Sequence, residues 1–339
     1  MSLLKELDFS HLCKSKNLLA FSAGIDSTAL FFLLHEASID FDIAIVNYNT
    51  RKKSLKELAY AKEIAAHYQK KIYFKETQLG ASHLEATARK IRYDFFEEII
   101  KDKNYDVLLT AHQINDQLEW LLMQLSKGAG SLELLGMSDS EQRSNYRLIK
   151  PLLALSKQQL QNYLDEKGHR YFIDESNVDE SFKRNYFRHH FSDKLISEYQ
   201  SGISKSFQYL KEDRELLLED SAVHDYLELT FIRASKPRIA LFYIDKALKK
   251  RGYILSHAQR EELKRQSSAV ISDQFVIEHV DNITYIAPRF ESSMDKSFKE
   301  ACRIAKIPSK IRPYLYEKSI KIEVFKEELR KLLKDSKSL

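Results

Sequence analysis

The sequence predicts an α/β protein in which a parallel sheet with helices on both faces is followed by a helical extension and then by a smaller, more basic α+β unit. Three observations carry this reading. Short apolar β-type runs alternate with longer helical patterns from Asn17 to about Ala111, the signature of stacked βα units. Beyond Gln113 the pattern turns mainly helical. The formal charge, +5 over 339 residues, divides as −3 over residues 1–220 and +8 over residues 221–339, so the chain changes character at the acidic cluster Glu212–Asp220. Domains of 1–218 and 219–339 are expected, the helical extension beginning near residue 155.

The first-half strands are short and apolar, as buried parallel strands should be: Leu18–Phe21, Ile43–Asn47, Ile72–Lys75 and Val107–Thr110. Helical patterns over Ser27–Glu36, Ser54–Gln69 and Leu84–Lys101 fill the intervals. Next come a helix over Asn115–Lys127, a glycine-containing segment Gly128–Gly136, a helix capped by Ser156 and running to Lys167, and a helical stretch from about Asp179 to Asp220. In the last third Ile239–Lys250 and Ala258–Arg265 read as helices. Phe275–His279 and Ile283–Ile286 read as a hairpin turning at Asp281-Asn282, and Lys331–Leu339 as a frayed basic end.

Composition narrows the function classes. A chain with 43% hydrophobic and 30% charged residues is an ordinary globular one. No apolar run approaches the ~20 residues of a bilayer span, and the first residues lack the apolar centre of a signal peptide, so a cytoplasmic protein with no membrane partner is expected. The two cysteines, Cys13 and Cys302, exclude a disulfide framework, a Cys-x-x-Cys pair and a cysteine-rich zinc or iron–sulfur site. The basic last third suits a polyanion such as RNA, and equally a lysine-rich solvated surface.

Four stretches carry chemistry. Ser22-Ala23-Gly24-Ile25-Asp26-Ser27 lies directly after an apolar strand and before an apolar-periodic helix. Unpaired N–H groups and the positive end of the helix dipole there suit a phosphate, and Asp26 would repel it unless a cation such as Mg²⁺ lay between them. The loop is not a Walker A sequence, since no Gly-Lys-Ser/Thr follows, and the plain alternative is a βα turn with an Asp-Ser helix cap. His112-Gln113-Ile114-Asn115-Asp116-Gln117-Leu118-Glu119 follows the fourth strand. It therefore falls at the same sheet edge, with Asp116 and Glu119 sharing a helix face. Glu85, Arg89 and Arg92 or Tyr93 share one side of a helix and by themselves read as an ordinary surface pair, Glu85 with Arg89. The fourth stretch runs from Asp174 to Asn177 and on through Phe182, Arg184, Tyr186 and Arg188 to His190. It interleaves cations with aromatics, as a single-stranded RNA contact or a solvated helix would. His189-His190 lacks the partner pattern of a zinc site.

Taken in this order, the four stretches resemble the tRNA(Ile)-lysidine synthetases of the PP-loop ATP-pyrophosphatase superfamily, over roughly Leu18 to Arg188. The loop is similar to Ser-Gly-Gly-x-Asp-Ser with Ala23 in place of the first glycine, an exchange expected to require a negative φ at position 23. Also matched are His112, Asp116, Gln117 and Glu119 with the glycine segment after them, the Glu85–Tyr93 element, Lys150-Pro151-Leu152-Leu153 with Lys for Arg, and Asp174, Asn177, Arg184, Asn185 and Arg188. Tyr48 departs from the family's usual His, while Asn47 and Arg51 remain.

The resemblance implies a PP-loop, Rossmann-like catalytic domain. It implies formation of lysidine at C2 of the wobble cytidine of a CAU-anticodon isoleucine tRNA, from ATP and L-lysine with Mg²⁺, through an adenylated cytidine, and with no zinc or iron–sulfur cluster. It assigns Ser22, Ala23, Gly24, Ile25, Asp26, Ser27, Asn47 and His112 to ATP, with Asp26 as the Mg²⁺ ligand. Asp116 and Glu119 would hold lysine's ammonium groups, one of them accepting a proton. Charge complementarity adds Arg89 for the lysine carboxylate, and Arg184 and Arg188 for phosphates. Charge alone nominates Lys249, Lys250, Arg251, Lys264, Arg303 and Lys306 for tRNA. A homodimer is compatible with the sequence. The competing readings are another adenylating tRNA-modifying enzyme, such as a thiolase, and a noncatalytic RNA-binding module.

Overall fold

The computed structural model describes residues 3–48, 52–78, 84–143, 145–173, 179–180 and 182–334, without the side chains of 52, 53 and 84–86. They form two compact units, Met1–Leu210 and Lys211–Leu339.

The first unit runs β1 (Asn17–Ala20), α1 (Ile25–Glu36), β2 (Phe41–Asn47), α2 (Lys52–His67), β3 (Ile72–Glu76), α3 (Leu84–Lys103), β4 (Val107–Leu109), α4 (Ile114–Leu125), α5 (Ser131–Leu134), β5 (Ser140–Gln142), β6 (Arg147–Ile149), α6 (Lys157–Lys167) and α7 (Lys183–Phe187). One turn of π-helix, Arg188–Ser192, then leads into α8 (Asp193–Leu218), whose last eight residues belong to the second unit. The sheet order is β3-β2-β1-β4-β6-β5, parallel except for the antiparallel edge strand β5. In this register Leu19 lies beside Ile43 on one side and Leu109 on the other, all fully or nearly fully buried, as expected of strands covered on both faces. Helix α1 is apolar all round and packs against α6. Phe31 anchors it between Phe41 and Tyr68 in edge-on ring contacts. Ser156 and Gln159 close a capping box on α6, and Gly168 ends it in left-handed geometry (φ 67°).

The second unit runs β7 (Ala222–Tyr226), β8 (Leu229–Arg233), α9 (Pro237–Lys250), α10 (His257–Arg265), β9 (Ser268–Ile271), β10 (Phe275–Val280), β11 (Ile283–Pro288), α11 (Lys296–Ile304), α12 (Arg312–Glu317) and α13 (Ile322–Lys334). Its sheet is antiparallel, ordered β7-β8-β11-β10-β9. Phe231 and Tyr285 pack on Phe325 of α13.

The expected elements are present with ends shifted by a few residues, and the β10–β11 hairpin turns at Asp281-Asn282. The frayed basic end is corrected over Lys331–Lys334, which continues α13 because Leu332 is fully buried in the core of that unit, while 335–339 lie outside the described residues. β5 and β6 escaped the pattern, being three residues each and, in β5, polar throughout.

Candidate functional site

The carboxyl ends of β1, β2 and β4 open onto one edge of the parallel sheet, where ligands bind in open α/β folds. After β1, the Ser22 N–H donates to Ser27 Oγ at 3.1 Å, and the two hydroxyls lie 3.0 Å apart. Ser27 Oγ also donates to the Gly24 carbonyl at 3.3 Å, which ties the turn to the first turn of α1. The expected negative φ at position 23 is corrected: Ala23 has φ 59°, in the left-handed region. An alanine there carries about 1–2 kcal/mol of strain. It is held by full burial and by the Phe172 N–H, which donates to its carbonyl at 2.9 Å. Gly24 and Ile25 open α1, with Gly24 in ordinary extended geometry as its N-cap.

Asp26 lies in the first turn of α1, and its Oδ1 is buried without a hydrogen-bond partner. Burial, then the negative charge of Asp116, push its carboxyl up to about 7, against the pull of Lys157 and Arg188.

After β4, Gln113 caps α4 by accepting from the Asn115 N–H at 2.6 Å, while Asp116 Oδ2 accepts from the Gln113 N–H at 3.1 Å. Asp116 thus caps its helix with one oxygen and leaves Oδ1 to Arg184 Nη2, 2.5 Å away. Glu119, only 1% exposed, takes Arg184 Nε on Oε2 at 2.7 Å and Arg188 Nε on Oε1 at 2.6 Å. Burial pushes Asp116 up, but Arg184 and His112 hold its carboxyl below the ordinary value; burial and Asp116 raise Glu119. Burial also lowers the His112 imidazole to about 4, so it is neutral near pH 7, with Nδ1 3.1 Å from Thr110 Oγ1.

Two carboxylates and two guanidiniums from stretches 65 to 69 residues apart therefore form one buried network. Arg184 and Arg188 are one helical turn apart, which aims both at α4. Asn47 is buried at the end of β2. Arg89 is exposed on α3 with its guanidinium 4.7 Å from the centre of the Tyr93 ring. Arg51, Asp174 and Asn177 lie outside the described residues, as does the side chain of Glu85.

Sequence reasoning missed Lys157, and it named Lys150 and Tyr48 only as departures from the family's pattern, without a contact for either. Lys157, the first residue of α6, acts on the charge of Asp26. Lys150 is buried, donates to the Ser138 carbonyl at 3.1 Å, and has an ammonium lowered by burial. Tyr48 donates its hydroxyl to the Ala88 carbonyl at 2.7 Å, tying β2 to the helix that carries Arg89. The serine cap before Lys157 was visible in sequence; the other two contacts are long-range and left no local signal.

Five of the six nominated basic residues of the second unit are engaged within it. Lys249 pairs with Asp245, Lys250 with Asp225, Lys264 with Glu261 and Arg303 with Glu300. Arg251 donates to the Glu228 carbonyl and Thr230 Oγ1. Lys306 is exposed and has φ 56°. Among the described residues no helix is long and apolar enough to cross a membrane.

Comparison with known proteins matches residues 3–195 to the PP-loop domain family. A tRNA(Ile)-lysidine synthase from Campylobacter jejuni is 44% identical over 94% of this chain and 98% of its own length. One from Helicobacter pylori is 43% identical over 91% of each chain. Among solved structures, the U34-tRNA thiolase NcsA from Methanococcus maripaludis, with its 4Fe–4S cluster, is similar at a TM-score of 0.52 and 17% identity, covering 62% of this chain and 76% of that one; this likeness is one of fold.

Proposed function

The chain belongs to the tRNA(Ile)-lysidine synthase family, and on that premise we propose that it uses ATP to join L-lysine to C2 of the wobble cytidine of an isoleucine tRNA with a CAU anticodon. The observation that carries the reading is the convergence of Asp26, Asp116, Glu119, Arg184 and Arg188 at the edge of the sheet where the phosphate-type turn opens.

The chemistry divides into two displacements. The cytosine C2 oxygen attacks the α-phosphorus of ATP and pyrophosphate leaves, turning a poor leaving group into a good one. The neutral ε-amine of lysine then attacks C2, the C2–O bond breaks, AMP departs, and the amine loses a proton. The Ser22–Ser27 turn and the start of α1 offer N–H and hydroxyl donors to the phosphates. Mg²⁺ fits Asp26, whose orphaned buried oxygen and raised carboxyl call for a cation, and when bound it would neutralise pyrophosphate charge. Among the described residues no cluster of three His, Cys, Asp or Glu stands ready for a metal, and Asp26 is the side chain that would hold such an ion.

Asp116 and Glu119 face the lysine ammonium in this reading, and Glu119, already raised by burial, accepts the proton lost on attack. Both carboxylates are paired with Arg184 and Arg188. An arriving phosphate gives Arg184, the more exposed of the two, a second partner and opens the carboxylates to lysine. His112, neutral, donates or accepts without adding charge, Asn47 borders the nucleotide, and Arg89 takes the lysine carboxylate. The test is incorporation of labelled lysine into a CAU-anticodon isoleucine tRNA transcript with ATP and Mg²⁺, with a methionine tRNA transcript as control. Selective, ATP-dependent incorporation is expected. Pyrophosphate release without lysine transfer would leave the ATP site standing and refute lysine as the second substrate.

A further inference from the structure

We propose that Trp120 is a base-stacking residue, which holds an unpaired base of the anticodon loop while the wobble cytidine enters the carboxylate–arginine network. The proposal rests on the tRNA reading above. Trp120 is the sole tryptophan of the chain and is 38% exposed, although it follows directly on six buried residues, Ile114–Glu119. An indole left this open forgoes a large burial energy. Four residues after Asp116, it stands about 40° from it around α4. Helical side chains lean toward the N-terminus, which sets Trp120 on the side of α4 toward Asp116, and its ring reaches across to Glu133 and Gly136.

The ring is fixed in place. Its Nε1 donates to the Glu133 carbonyl at 3.2 Å, and the Glu133 carboxylate in turn accepts from the Gly130 N–H at 3.1 Å. Gly136 lies against the indole edge so closely that any Cβ there would overlap Nε1, Cδ1 and Cε2. The polar handle is therefore occupied, and the exposed remainder of the indole is apolar ring. Such a surface stacks any base without reading its edges. The reaction requires it: Glu119 is 1% exposed and the Arg188 side chain 12%, so the wobble base must leave its stack to reach them, at a cost of a few kcal/mol. A neighbouring aromatic recovers about 1–3 kcal/mol for each base it stacks. The exposed part of Arg184 stands by for the adjoining phosphate.

Because the tryptophan is unique, its emission reports on this position alone when excited where tyrosine does not absorb. Titrating the full-length protein with the isoleucine tRNA transcript should quench that emission saturably. ATP alone and duplex RNA should leave it unchanged. A transcript with 2-aminopurine beside the wobble position should lose probe emission on binding the wild type and keep it on binding Trp120→Leu. In steady state Trp120→Leu should raise KM for tRNA about tenfold, the equivalent of roughly 1.4 kcal/mol, with the KM for ATP unchanged, and Trp120→Phe should restore most of it. Unquenched emission with bound tRNA, or an unaltered tRNA KM in Trp120→Leu, would overturn the proposal; quenching by ATP alone would assign the ring to adenine instead. Quenching by tRNA in a protein that makes no lysidine would refute the reaction and leave the stacking in place.

Discussion

Asp26 joins a carboxyl raised to about 7 to a buried oxygen with no partner. An acid whose folded-state pKa lies above its unfolded value stabilises the fold in its protonated form. That contribution is complete below about pH 4 and is lost as pH rises through about 7. Asp26→Asn should therefore be more stable than the wild type at about pH 8, by up to a few kcal/mol at about 1.4 kcal/mol per pH unit, with the difference gone at about pH 4; urea midpoints at the two pH values check it. The same variant should release no pyrophosphate while binding tRNA nearly as tightly, and full turnover by Asp26→Asn would end the metal role. Ala23 is the second residue at which the site bears a cost. With φ at 59°, Ala23→Gly removes the clash of a methyl in left-handed backbone at the expense of a more flexible unfolded chain. A net gain of about 1 kcal/mol is expected, read as a higher thermal midpoint with lysidine formation intact; a lower midpoint would show that the burial of the methyl outweighs the strain.

At the scale of elements, the site depends on how α3, α4 and α7 are moored. Tyr48 moors α3 to β2 through the Ala88 carbonyl, and burial pushes its phenol up, so the hydroxyl stays protonated and donating. Tyr48→Phe should cost about 1 kcal/mol of stability. It should raise KM for lysine while leaving ATP-dependent pyrophosphate release in place, because Arg89 rides on α3 one residue beyond Ala88. An unchanged lysine KM would detach Arg89 from the lysine site. The π-turn that follows α7 begins at Arg188 itself, so the widened helix starts at the guanidinium that reaches Glu119.

At the scale of the whole molecule, the excess positive charge lies in the second unit, yet most of the nominated cations are paired with carboxylates there. Exposed pairs of this kind are worth little to stability, so their cations remain available to phosphates. Removing any one of Lys249, Lys250, Lys264, Arg303 or Lys306 should lower the slope of log affinity for tRNA against log salt by up to about 1 if it contacts a phosphate, with the thermal midpoint unchanged. Arg251→Ala should behave oppositely. Its guanidinium serves the Glu228 carbonyl and Thr230, so the loss appears in stability and not in the salt slope.

The linear sequence by itself determined the fold class, the order of the parallel strands and helices in the chain, the phosphate-type turn and the acidic face of α4. All of these are encoded locally, in apolar periodicity, helix caps and small residues at a strand end. Tertiary structure alone decided which charges meet. Arg184 and Arg188 read in sequence as cations free for phosphate, and Asp116 and Glu119 as free for lysine, whereas packing of α7 against α4 pairs them before any ligand arrives. It also set Ala23 in left-handed backbone, left Trp120 open beside a buried ridge, and brought the charge of Lys157 near enough to act on Asp26. Desolvation and charge pairing depend on which distant surfaces are pressed together, and neither periodicity nor spacing along one chain records that.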